Sequence, residues 1–291
     1  MKIDIHNNLI EFGSLYLKNH TVFDVEGENP KVEEFLQGQV TSDISLLSNN
    51  CAQLSCICNH KGEIMADFII IKKNMKYKFI VENVTGLDSI LIEELTPFAK
   101  FSNVKFKKTD DIVVGTISPK GNSKESFLSN DFCELSITIS SDKNLKDSIN
   151  ISQWEAANKI LGNLFLEHTD AGKYRPLEIN YDKLRVSFDK GCYRGQEIVA
   201  RMKYLGVDRR KFCTFVTEDS FFNQFKSWVH LDPETKRVSI NKDSAPAKKD
   251  RPFNIVGRVI NINNRYVFNA IVKKDDLSKL NDETPGILVI I

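Results

Sequence analysis

Residues 21–25, Thr-Val-Phe-Asp-Val, alternate in a way that reads as a strand. Asn29-Pro30 then open a helix, with Asn as cap and Pro at the first helical position, where its missing N–H is not needed. Val32, Phe35 and Leu36 fall on one apolar helical face, and Gly38 is expected to end it. Between 52 and 81 the period changes to two. Strands are expected over 64–71 and 77–81, joined by a polar five-residue turn at 72–76. Leu87, Ile90, Leu91, Leu95 and Phe98 return to helical spacing, with Pro97 as its limit. Residues 112–117 read as a strand. Residues 118–150 are polar and read as loop with one strand near 132–139.

Ser152-Gln153-Trp154-Glu155 has the form of a capping box, with Ile151 as a hydrophobic staple. Trp154, Ala157, Leu161, Leu164 and Phe165 share one face of the helix that follows. An irregular stretch runs through Arg175-Pro176. A short helix is expected from 195 to 203, with Gly206 as its stop signal. From 209 onward short apolar runs alternate with turn residues, and Asn263-Asn264 mark a two-residue hairpin between 255–262 and 265–272. Several short strands in about 80 residues suggest a small barrel. Adjacent hairpins rather than regular βαβ alternation argue for an α+β fold.

The chain has 291 residues, which at ~150 residues per domain suggests about two domains. We expect an α+β body over 1–205 and a β-barrel over 208–291. A hydrophobic share of 41% with 27% charged residues excludes a largely disordered chain. No apolar run approaches the ~18–20 residues of a membrane-spanning helix, so no membrane role is expected. Met1-Lys2-Ile3-Asp4-Ile5-His6 does not read as a secretory signal, which points to the cytoplasm and to six reduced cysteines. Cys56 and Cys58 read as alternate positions on one strand face. Metal sites more often use C-x2-C pairs, so burial is favoured over ligation and no resident metal is expected.

The net charge of +1 argues against coating long stretches of nucleic acid. It is unevenly spread: residues 183–211 hold nine basic side chains and three acidic ones. Such an island suits an anionic ligand or partner. Within it stands Lys190-Gly191-Cys192-Tyr193-Arg194-Gly195-Gln196-Glu197. Cations and a helix N-terminus favour the thiolate form of a cysteine placed between them. Gly191 and Gly195 allow sharp backbone turns around Cys192.

Residues 186–201, Val-Ser-Phe-Asp-Lys-Gly-Cys-Tyr-Arg-Gly-Gln-Glu-Ile-Val-Ala-Arg, resemble the K-G-C-[FY]-x-G-Q-E-x-x-A-R signature of the YgfZ family. Its members are folate-binding proteins similar to the aminomethyltransferase of the glycine cleavage system. Residues 35–43, Phe-Leu-Gln-Gly-Gln-Val-Thr-Ser-Asp, resemble the family's F-L-Q-G-Q-x-T-x-D segment, and residues 176–180 its P-x-E-x-N stretch. The resemblance implies an aminomethyltransferase-like three-domain ring, with two intertwined α+β domains (one at about 51–110) and the small C-terminal barrel. It implies binding of tetrahydrofolate or a derivative, and support of iron–sulfur client enzymes and thereby of tRNA modification. Cys192 and Lys190 would be the working residues. Trp154, Tyr193, Arg194, Gln196, Glu197 and Arg201 would serve the folate. A flat pterin needs an aromatic or apolar wall, and its glutamate tail needs cations.

Two positions depart from the pattern. A second folate-contacting tryptophan of the family falls near His20, and the pterin-binding glutamate of the transferases falls at Ile160. Asp67 lies near the transferases' catalytic aspartate but at a different spacing. These changes count against the alternative of an active tetrahydrofolate-dependent aminomethyltransferase. Direct tRNA contact through the basic island is a third reading. It has only Tyr193 and Tyr204 as stacking groups.

Overall fold

The computed structural model describes residues 9–83, 86–121, 126–140, 146–206, 209–218, 229–231, 238–240, 253–277 and 287–290. The chain forms two compact units. The larger comprises Phe12–Ile149 and Phe165–Gly206, and the smaller comprises Met1–Glu11, Asn150–Leu164 and Val207–Ile291.

The larger unit opens with β1 (Gly13–Tyr16), β2 (His20–Glu26) and α1 (Asn29–Gln39). The face of Val32, Phe35 and Leu36 is buried as its spacing requires. The helix ends differ from expectation. Glu28, not Asn29, is the N-cap, and Gly38 lies inside the helix. The chain turns extended only at Val40, which makes an isolated antiparallel bridge to Ile57. That pairing decides where the helix stops.

β3 (Cys51–Cys58), β4 (Ile64–Lys73) and β5 (Lys76–Glu82) follow as a meander. The β4–β5 turn is two residues rather than five, because Asn74 and Met75 both take positive φ (52° and 62°) and Lys73 pairs with Lys76. α2 (Leu87–Phe101) runs through Pro97, the Leu91, Leu95 and Ala99 face being buried across it. β6 (Lys105–Thr109) completes a five-stranded antiparallel sheet of order β3-β4-β5-β2-β6. Phe68, Phe79 and Phe106 from three of its strands meet at centroid distances of 4.7 and 5.7 Å, and Phe35 of α1 joins Phe106 at 6.1 Å. A second antiparallel sheet of order β1-β7-β9-β8 uses β7 (Ile112–Pro119), β8 (Ser126–Ser129) and β9 (Cys133–Ser140). The polar stretch thus contains one strand more than its pattern announced.

The chain leaves this unit for α3 (Ile151–Ile160). Asn150 is the N-cap, and the capping box is Asn150 with Gln153, two residues earlier than Ser152–Glu155. Ile151 is 43% exposed, so it does not act as a staple. Asn caps as well as Ser, and here it starts the helix first. The chain then returns to the larger unit for α4 (Tyr181–Leu184) and α5 (Gln196–Leu205).

In the smaller unit, β10 (Arg210–Glu218), β13 (Phe253–Ile262), β14 (Arg265–Lys273) and β15 (Ile287–Ile290) form a sheet of order β13-β14-β10-β15, and β11 (Val229–Leu231) pairs with β12 (Val238–Ile240). The Asn263-Asn264 hairpin forms as expected, both residues at positive φ. α3 packs on β13 and β14. Lys159 Nζ donates to Asn269 Oδ1 (2.9 Å) and Thr214 Oγ1 donates to the Lys159 carbonyl (2.6 Å), which ties helix to sheet through buried polar groups. Closure of the barrel expected over 208–291 involves residues outside the described ones. All strand pairings among the described residues are antiparallel, so the architecture is mixed α+β. No helix among the described residues is long and apolar enough to cross a membrane.

Candidate functional site

Lys190 organises the loop that leads into α5. Its ammonium is nearly enclosed, with the residue 8% exposed, and it donates to the carbonyls of Val40 (2.7 Å) and Ser42 (2.9 Å). Thr41 Oγ1 donates to the Arg185 carbonyl (2.7 Å), and Ser187 N donates to the Thr41 carbonyl (2.9 Å). Residues 40–42 and the loop are therefore stitched together from both sides. Burial pulls the Lys190 amine down to about 8, with the Asp43 carboxylate opposing. Its Nζ also stands 5.4 Å from the centre of the Tyr193 ring.

The two glycines of the loop have different reasons to be there. Gly195 sits at φ +85°, and a Cβ on it would lie 2.3 Å from the Asn59 carbonyl oxygen. Only glycine lets the loop press on the β3–β4 turn in this way. Gly191 has open space around it and no positive φ. Between them Cys192 is exposed, Cys51 is partly covered, and the other four cysteines are buried. Cys192 lies three residues ahead of Gly195, the N-cap of α5.

The remaining loop residues divide between interior and surface. Tyr193 is buried. Arg194 turns inward, pairing with Glu94 (3.0 Å) and covering the Phe98 ring at 5.1 Å. Gln196 is half-buried, and Glu197 and Arg201 are exposed. Trp154 lies in the smaller unit at 2% exposure. Ile160 is a buried apolar residue of that unit, and His20 stands edge-on to Phe165 in the larger one.

Three of the nine basic residues of the island, Arg185, Lys190 and Arg194, face inward. Arg185 is wholly buried and pairs with Asp67 (3.1 Å), while its Nη1 donates to the carbonyls of Ser55 and Phe68. Asp67 also accepts from Tyr181 Oη (2.9 Å) and Leu166 N (3.1 Å). Burial pushes its carboxyl up and Arg185 opposes that. A buried aspartate held by these three donors is a structural anchor and has no open side for acid–base chemistry. The sequence reading missed this network. Its one signal was an acid, Asp67, within the otherwise apolar run of β4.

A cleft of about 540 Å³ opens between α1 and α2, lined by Phe35, Gly38, Gln39, Phe98, Phe101 and Asn103 among others. Its volume is that of a small-molecule site. Phe101 is 90% exposed at its mouth, and the Gln39 Oε1 acceptor has no hydrogen-bond partner.

No family model matches the chain. An uncharacterised protein of Haemophilus influenzae is 30% identical over 231 residues, covering 75% of this chain and 78% of its own. The tRNA-modifying protein YgfZ of Buchnera aphidicola from Acyrthosiphon pisum is 24% identical, covering 89% of this chain and 92% of its own. That of Klebsiella pneumoniae is 26% identical, covering 64% and 66%. Among solved structures, the glycine cleavage system aminomethyltransferase T of Bartonella henselae aligns with a TM-score of 0.57 over 92% of this chain and 80% of that one, at 12% identity. The fold is aminomethyltransferase-like.

Proposed function

Because the chain belongs to the YgfZ family, we propose that it is a folate-binding accessory protein that supports assembly or repair of iron–sulfur enzymes and through them tRNA modification, with Cys192 as its working thiol. The observation that carries this reading is the division of labour in the loop. Lys190 is spent inside, holding the backbone of residues 40 and 42, while Cys192 is left exposed two residues on. A loop built so firmly around an unsupported thiol is suited to presenting that thiol to another molecule. The client enzymes are its protein partners and the cytoplasm its compartment. The family's three-domain ring, with the C-terminal strands closing as a small barrel, is part of the proposal.

The residues present fit tetrahydrofolate or a derivative in part. Phe98 and Phe101 offer aromatic walls in the α1–α2 cleft. Arg201 and Gln196 offer polar groups at the surface of α5. Trp154 and Tyr193 are too enclosed to stack on a ligand without rearrangement. Titration of the purified protein with tetrahydrofolate and its one-carbon derivatives by calorimetry tests the assignment. Saturable binding is expected, and its absence for every derivative overturns it.

The fold likeness to the Bartonella enzyme favours a second reading, folate-dependent aminomethyl transfer. Against it stand the enclosed Asp67 and the apolar Ile160. Tetrahydrofolate-dependent release of ammonia from an aminomethyl donor would decide for it. Direct tRNA contact would have to use the other six basic residues of the island, since Arg185, Lys190 and Arg194 turn inward.

A further inference from the structure

We propose that Cys56 and Cys58 form a two-thiolate site for a soft monovalent metal ion of the Cu(I) type, roofed by the 190–195 loop. The two residues alternate at the end of β3, share one face, and are both 0% exposed. The register against β4 shifts between Ile57 and Cys58, Met65 being the extra residue on β4. Cys56 Sγ lies 3.2 Å from Thr41 Oγ1. The roof is close: a Cβ on Gly195 would lie 3.1 Å from Cys58 Cβ.

What points to a ligand is the polar lining. Tyr193 is 6% exposed, and its hydroxyl has no hydrogen-bond partner. It stands within electrostatic reach of both thiols. Arg194 Nε and Nη2 are also buried without acceptors, and the guanidinium acts on Cys58. These are buried donors with nothing to donate to, an arrangement that native interiors avoid unless a further group completes it. Neutral thiols are weak acceptors. Metal-bound thiolates carry negative charge on sulfur and take such hydrogen bonds.

Two thiolates and one monovalent cation leave a single negative charge, which the Arg194 guanidinium faces. Among the described residues no group of three or more His, Cys, Asp or Glu converges, so zinc and iron–sulfur clusters lack their usual ligand set. Thiolate sulfur selects a soft ion such as Cu(I). On binding, two sulfur–metal bonds form, each thiol gives its proton to the buffer, and the ion leaves its previous chelator. No electron is transferred. Entry requires the 190–195 loop to lift.

The test is anaerobic competition of the full-length protein with a chromophoric cuprous chelator, read together with the thiolate-to-copper charge-transfer band. Wild type should withdraw one equivalent. Cys58→Ser, shown to be folded by circular dichroism and thermal melting, should lose that equivalent. Tyr193→Phe should weaken it by about 10-fold, as loss of a supporting hydrogen bond to a metal ligand does. Cys192→Ser should keep it. Cys56→Ser also disturbs the contact with Thr41, so Cys58→Ser and the wild-type band are the deciding readouts. No uptake by wild type, uptake unchanged in folded Cys58→Ser, or uptake lost in Cys192→Ser would each overturn the site.

Discussion

Lys190 holds a charge in a place that little water reaches, and this has a measurable consequence. An unfolded lysine titrates near 10.4, whereas the folded amine is pulled down to about 8 by burial. Between these values the unfolded chain keeps a proton that the folded protein has lost. Stability therefore rises with pH across that window, and the penalty for the buried charge is fully present below about 8. Urea unfolding of wild type and Lys190→Met at pH 7, 9 and 10.5 isolates the effect. Wild type should gain on the variant as pH rises. A flat or falling difference would show that the ammonium is well solvated. The neighbouring glycines give a second contrast. Gly195→Ala forces a Cβ against the Asn59 carbonyl at a left-handed φ and should cost on the order of 1–3 kcal/mol. Gly191→Ala meets nothing within 4 Å and should be close to neutral. Equal losses in the two variants would contradict this account of the loop.

At the scale of elements, the start of α3 is the sharpest local test. Asn150 accepts from Gln153 N at 3.0 Å, and Gln153 Oε1 returns an acceptor to Asn150 N at 2.7 Å. Asn150→Ala should cost about 1 kcal/mol, while Ser152→Ala, inside the first turn, should cost a few tenths at most. Chemical denaturation of both variants decides between the two caps, and a larger loss in Ser152→Ala would restore the box at Ser152–Glu155. The same helix shows what sequence pattern can carry. Its existence and the buried Trp154 and Ala157 were legible from periodicity, but Leu164 and Phe165, expected on the same face, lie beyond its end at Ile160, and its first residue depended on which of two good caps the tertiary structure used. Asn263-Asn264 announced a hairpin because both residues tolerate positive φ. Asn74-Met75 makes the same kind of turn unannounced, because Met has no such tendency. Gly38 and Pro97 read as breakers, yet α1 runs one residue past Gly38, and buried residues on either side of Pro97 carry α2 through it. The loop of the candidate site was legible as a motif, including its exposed cysteine. The inward course of Arg185, Lys190 and Arg194 was not, since their partners lie 100 to 150 positions away in the chain.

For the whole molecule, the distribution of its six thiols makes the proposed role testable without knowing the client. Cys192 is exposed, Cys51 is partly covered, and Cys56, Cys58, Cys133 and Cys213 are buried. Reaction with a maleimide requires the reagent to reach the sulfur, so access orders the rates. One thiol per chain should alkylate fast at neutral pH, Cys51 should follow, and the other four should react only as the chain unfolds. Peptide mass spectrometry against time assigns each step, and a buried cysteine reacting first would mean that the loop is not the accessible face of the protein. The functional half follows from the same geometry. Cys192 has no packing role to lose, so Cys192→Ser should melt within a degree or two of wild type. If the exposed thiol is what the protein contributes, the variant should nonetheless fail to restore iron–sulfur enzyme activity in a strain lacking its own relative. Gly191→Ala, which leaves the thiol in place, should restore it. Full rescue by Cys192→Ser would remove the thiol from the mechanism and move the weight to Lys190 and the surfaces that its two hydrogen bonds hold together.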